Sequence, residues 1–295
     1  MSLEIKGIIP AMVTPMDQQG RINESALRKL TNYLIEGGVH GLFPVGSQGE
    51  FYALTPEEKK RVIEVVVDET RGRVPVYAGT GAITTQETIA LTKMAESAGA
   101  QAVSVLTPYF ISPNDQELLE HYTAVANATN LPVLLYNNPG RTGCKISASL
   151  VEKAAKVDNI VGIKDSSGDM TLTAEFIRRT PEGFAVLAGR DTLIYGTLCY
   201  GGKGSITATA NVAPKLVSEI YDAFVAGDLK RSLEAQYSLA PLRLAFDLGT
   251  FPVVIKEALN MIGIEAGIAR APVGGMSEDK KKELRQVLVG MGLLK

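Results

Sequence analysis

An α/β fold, a (β/α)8 TIM barrel with a C-terminal three-helix appendage, is predicted for this chain by three observations. Eight short runs of β-type residues alternate with amphipathic helical stretches up to about residue 225, the ordering that parallel strands joined by crossover helices require. The runs are continuously apolar rather than alternating, as expected of strands buried on both faces. The first turn reads TPMDQQGRIN and lacks the glycine-rich phosphate turn that opens a doubly wound sheet. Eight units of this kind close on themselves.

The first strand is read over 5–13 (IKGIIPAMV). The helical stretch 24–38 follows it, with Leu27, Leu30 and Leu34 at helical spacing. The second strand, 41–45 (GLFPV), leads to the helix 56–70, which opens with proline behind Thr55 as N-cap. The remaining strands are read over 74–79, 102–107, 132–137, 160–165, 184–189 and 204–207. Beyond 225 the pattern turns helical, in GDLKRSLEAQYSLAPLRLAF, FPVVIKEALNMIG and SEDKKKELRQVLVGMG. The expected division is a barrel domain over 1–225 and a helical appendage over 226–295. Neither a low-complexity linker nor a repeat beyond the β/α unit interrupts it.

Composition narrows the function. The chain has 295 residues, 45% hydrophobic and 21% charged, matching a packed globular protein rather than a disordered one. Its 30 basic and 32 acidic residues leave a net charge of −2, so no broad positive field exists to hold nucleic acid. There is no run of roughly 18 apolar residues and no signal-like start, so neither a membrane partner nor export is expected. The expected location is the cytoplasm. Cys144, Cys199, His40 and His121 are too few and too scattered for a structural zinc site, and chemistry without metal or cofactor is the default.

In a barrel the chemistry sits at the C-terminal ends of the strands. The sixth run ends IVGIKD and puts Lys164 on that rim. One reading is a solvent-facing lysine paired with Asp165. The other is a desolvated lysine, which more readily supplies the free amine that attacks a carbonyl and forms a Schiff base. Tyr136 closes the neighbouring run at the equivalent position, either as a proton shuttle or as a core tyrosine. Arg141, in the turn NNPGRTG, suits a bidentate carboxylate contact, although a plain surface arginine is the commoner case. Ser47 and Gln48 lie between glycines in VGSQGEF, where N–H groups and a hydroxyl can converge on an anion. Glu50 is open between an exposed loop charge and a helix start. Gly189, Arg190 and Asp191 follow the seventh run, and Lys203, near Ile206, is read as a second lysine at the catalytic end.

With these residues in place, the chain resembles the dihydrodipicolinate synthase and N-acetylneuraminate lyase family over essentially its whole length. The matching pieces are TPMDQQG, GSQGE, AGTGA, TPYF, YNNPGRTG, GIKDSSGD and GGKGSITATAN. The resemblance implies a cofactor-free mechanism in which Lys164 condenses with the ketone of pyruvate, or of a 2-keto acid that yields pyruvate. Tyr136 would carry protons to and from the substrate oxygen. Ser47, the backbone at Gln48, Gly189 and Ile206 match the family's pyruvate-carboxylate and relay region. Arg141 matches the position that holds the second substrate's carboxylate in the synthase branch. Family members are typically homotetramers built as dimers of dimers, with TPYF near the tighter interface, so Tyr109 and Phe110 are expected there.

Three positions depart from the synthase pattern. Gln48 replaces a small hydroxyl residue, and Phe110 replaces a relay tyrosine whose proton phenylalanine cannot carry. Ile83 stands where an asparagine often accompanies feedback inhibition by lysine. The leading expectation is a synthase condensing pyruvate with aspartate semialdehyde. The alternative is an aldolase or dehydratase of 2-keto-3-deoxy sugar acids, 4-hydroxy-2-oxoglutarate or N-acetylneuraminate. A non-catalytic 2-keto acid sensor is a third reading, disfavoured because a binder has no use for a costly buried amine.

Overall fold

In a computed structural model, which describes residues 3–295, seven strands form one parallel sheet. They are β1 (Gly7–Pro10), β2 (Tyr77–Gly79), β3 (Ala102–Leu106), β4 (Val133–Asn137), β5 (Ile160–Asp165), β6 (Ala185–Ala188) and β7 (Gly204–Thr207), in the spatial order β1-β7-β6-β5-β4-β3-β2. The eighth expected run, 41–45, fills the gap between the two edges. Isolated parallel bridges join Ala11 to Phe43 on one side and Leu42 to Val76 on the other. Backbone hydrogen bonds close the ring there: Phe43 N donates to Pro10 O, Met12 N to Phe43 O, and Tyr77 N to Leu42 O. A closed ring leaves no unpaired edge. This run forms no longer ladder because Pro44 has no N–H to donate and Val45 turns into the left-handed region at φ 58°.

The pleat sorts the apolar residues into two layers. Ile9, Phe43, Tyr77, Leu134, Leu187 and Ile206 point into the barrel and pack on one another. Ile8, Val103, Leu135, Ile163 and Val186 point outward, under the helices. Neighbours along one strand thus belong to different cores, which is why the sequence shows unbroken apolar runs.

The helices follow the capping chemistry of the sequence. Thr55 opens the helix Pro56–Thr70 with a capping box, its hydroxyl accepting from Glu58 N while the Glu58 carboxylate accepts from Thr55 N. After the last barrel helix, Pro214–Val225, come Leu229–Leu244, Val253–Met261 and Glu278–Gly290, the three expected helices. Their Leu239, Leu242, Leu259 and Leu284 join the same outer apolar cluster as Val212 and Val217. Between the first two, the segment 245–252 brings Phe246 and Phe251 to the cavity at the C-terminal end of the strands. No single helix among the described residues is long and apolar enough to cross a membrane.

Candidate functional site

Lys164 and Tyr136 are paired in register between β5 and β4, and the next partner along the sheet is Leu187 of β6. Lys164 shares its parity with Gly162, so its side chain enters the barrel, whereas Ile163 and Asp165 face the opposite way. The two side chains therefore part, and the reading of a solvent-facing lysine paired with Asp165 does not hold. Asp165 turns outward and is satisfied by Asn137 Nδ2 at 2.9 Å, Ser167 Oγ at 3.0 Å and Thr173 Oγ1 at 2.6 Å. Lys164 is 4% exposed. Its Nζ lies 4.1 Å from the Tyr136 ring centroid and 5.3 Å from that of Phe43. Among the described residues it makes no ion pair. The amine is thus held against two aromatic faces inside the barrel.

The Tyr136 hydroxyl receives Asn138 Nδ2 at 3.0 Å and lies 3.5 Å from Ser47 Oγ. Burial pushes the phenol up. The Lys164 ammonium, with hydrogen bonds from Ser47, Ser166 and Asn138, outweighs that and holds it below its ordinary value. A phenol so lowered gives up its proton more readily than an ordinary tyrosine.

Ser47 reaches this hydroxyl because the loop after Phe43 is bent sharply and pinned. Gly79 lets the loop come close, since a Cβ there would stand 2.1 Å from Val45 O. Thr14 Oγ1 donates to Gly49 O at 2.7 Å. Glu50 closes the loop in the left-handed conformation, φ 58°. It begins the short 3-10 turn Phe51–Ala53, but it is no exposed charge. Its carboxylate is fully buried, 2.5 Å from Lys256 Nζ, and accepts Arg270 N at 2.8 Å. Lys256 also donates to Ile268 O at 2.6 Å. Burial pulls the Lys256 ammonium below its ordinary value, against the opposing pull of Glu50. The loop that carries Ser47 and Gln48 is therefore anchored in the C-terminal helices.

Lys164, Tyr136, Ser47, Gln48, Arg141, Gly189 and Ile206 all line one cavity of about 340 Å³ at the C-terminal end of the strands. One sequence expectation does not meet there. Lys203 precedes β7 rather than following it. Its N–H donates to Val186 O and its carbonyl accepts from Gly7 N, so it enters the strand at the opposite end of the barrel and does not line the cavity. In a parallel barrel only the residue after a strand reaches the C-terminal rim. Tyr109 is half-buried and packs edge-on to Phe51 at 6.0 Å. Phe110 is 95% exposed at φ 75°. Neither lines the cavity within a single chain.

Sequence reasoning missed Asn138, Ser166, Arg243, Phe246 and Phe251, all of which line the cavity. Arg243, Phe246 and Phe251 come from the stretch read as a remote tail. The only signal available was the pair Gly249 and Pro252, which interrupts the helical pattern.

The model of the dihydrodipicolinate synthetase family matches residues 4–290. The 4-hydroxy-tetrahydrodipicolinate synthase of Methanopyrus kandleri is 42% identical over 296 residues, spanning 100% of this chain and 99% of its own. A dihydrodipicolinate synthase structure from Acinetobacter baumannii in complex with pyruvate is 36% identical, with a TM-score of 0.96 over 98% of this chain and 100% of its own. A prophage protein of the dihydrodipicolinic acid synthase family from E. coli K12, also in complex with pyruvate, is 33% identical, with a TM-score of 0.96 over 99% and 100%. The likeness runs from end to end in both sequence and fold, and the protein belongs to the dihydrodipicolinate synthetase family.

Proposed function

We propose that the protein is a 4-hydroxy-tetrahydrodipicolinate synthase, a metal- and cofactor-independent enzyme that joins pyruvate to aspartate semialdehyde through a Schiff base on Lys164. The observation that carries the reading is the buried Lys164 amine, with no carboxylate paired to it among the described residues, against the Tyr136 ring. The amine adds to C2 of pyruvate. The resulting carbinolamine loses water, with Tyr136 supplying the proton to the departing oxygen, and leaves a protonated imine. The imine accepts the electron pair released when C3 loses a proton, giving an enamine. That carbon attacks the aldehyde, a C–C bond forms, and the aldehyde oxygen takes a proton. Ser47, the backbone at Gln48, Gly189 and Ile206 would hold the pyruvate carboxylate, and Arg141 that of the aldehyde.

The reading is tested by incubation with pyruvate and borohydride followed by peptide mapping. A pyruvyl mass should appear on Lys164, and a protein that stays unmodified there would defeat it. Removing only the hydroxyl, as Tyr136→Phe, should lower kcat by roughly 10²–10⁴-fold, the span of a general acid–base contribution. The borohydride adduct should survive that change. A kcat within twofold of wild type would take the shuttle role from Tyr136.

Phe110, which has no hydroxyl to complete a relay, favours a second reading: an aldolase or dehydratase of 2-keto-3-deoxy sugar acids, 4-hydroxy-2-oxoglutarate or N-acetylneuraminate. Comparing kcat/KM across these and aspartate semialdehyde with pyruvate separates the two. Under either reading we place the enzyme in the cytoplasm as a homotetramer, a dimer of dimers, with Tyr109 and the exposed Phe110 at the tighter contact.

A further inference from the structure

Arg141 is one of three guanidinium groups at the cavity mouth. Arg190, after β6, and Arg243, near the end of the helix Leu229–Leu244, line the same cavity, and all three also line an adjoining one of about 260 Å³. Each is fixed in place without an ionic partner. Arg141 stacks on Phe251 at 4.1 Å and Arg243 on Phe246 at 4.7 Å. Arg190 Nε donates to Ser166 O at 3.0 Å. Among the described residues none of the three forms an ion pair, whereas Arg28, Arg61, Arg231 and Arg270 all do. A guanidinium pinned face-on by a ring keeps its edge N–H groups free for a bidentate anion.

The cationic surplus is local. Asp191 also lines the cavity, but its carboxylate is buried and occupied by Thr209 N at 3.0 Å. Asp247, the one carboxylate among the described residues lining the adjoining cavity, is exposed. Gln48 is buried between the two spaces, and its Oε1 has no donor among the described residues. The site thus presents two more guanidinium groups than pyruvate and Arg141 account for, along with an unused acceptor.

We propose that Arg190 and Arg243 form a second anion subsite that takes the distal carboxylate of a dicarboxylic 2-oxo acid whose ketone is joined to Lys164. This rests on the Schiff-base reading above and deepens it. Joining pyruvate to an aldehyde that bears an acid group gives a hydroxylated diacid, with one carboxylate from each half. Arg141 holds the aldehyde's carboxylate as it enters, Arg190 and Arg243 take that carboxylate over once the C–C bond has formed, and Gln48 Oε1 accepts from the adduct's hydroxyl.

The test measures half-saturation of borohydride trapping on Lys164 for chain-matched oxoacids, 2-oxoglutarate against 2-oxopentanoate and 2-oxoadipate against 2-oxohexanoate, with pyruvate as reference. In the wild type at least one diacid should trap at a concentration tenfold or more below its monoacid partner. That preference should fall at least fivefold in Arg243→Gln and vanish in Arg190→Gln/Arg243→Gln. Equal half-saturation within both pairs overturns the subsite. So does a preference that survives the double variant and disappears in Arg141→Gln. Trapping of pyruvate without any diacid preference sinks this inference alone, while failure of every oxoacid to trap sinks the Schiff-base reading with it.

Discussion

Lys164→Ala is expected to lower turnover by roughly a thousandfold or more, the scale on which removal of a covalent nucleophile acts. Among the described residues no other amine lines the cavity, and the neighbouring Tyr136 and Ser47 hydroxyls cannot form an imine. The same variant should give no borohydride adduct with pyruvate. Its fold should hold, because alanine removes from between two rings an amine that has no ion pair or hydrogen bond among the described residues. Activity within tenfold of wild type, or an adduct on another lysine, would show that the nucleophile lies elsewhere.

The second large effect concerns stability. Glu50→Gln leaves the Lys256 ammonium buried without its carboxylate, and breaking a buried pair from one side costs about 3–5 kcal/mol. The denaturation midpoint should fall while its slope stays constant. Adding Lys256→Met removes the stranded charge, and the double variant should recover much of the loss. Because Glu50 ends the loop that carries Ser47 and Gln48, the single variant should also raise KM for pyruvate more than it lowers kcat. A midpoint unchanged by Glu50→Gln would mean that Lys256 sits neutral and that the loop is held by Thr14 and Arg270 instead.

Much of the barrel could be read directly because its determinants are local. Apolar runs bounded by Gly and Pro mark strands, and Thr55 followed by proline and Glu58 marks a helix start. The same holds for Lys164 and Tyr136, since a polar residue at the end of an apolar run stands out against its neighbours. Pro44 and Val45 weakened the second strand without opening the ring. Glu50 could not be placed, because a charge in a glycine-rich loop looks exposed until its partner Lys256, over two hundred residues away, is brought against it. Lys203 was placed on the wrong rim because nearness to Ile206 along the chain ignores the direction in which a strand runs.

The order of the β/α units, the rim lysine and the turn arginine follow from the sequence alone, since each depends on residues within a few positions of one another. Which way Lys164 points relative to Asp165, what anchors the Ser47 loop, and which tail residues face the cavity were decided only by the tertiary structure. Strand pleat, ring closure and the return of residues 245–252 to the cavity join positions far apart in the chain. A side chain's solvation, and with it its chemistry, is set by those distant neighbours.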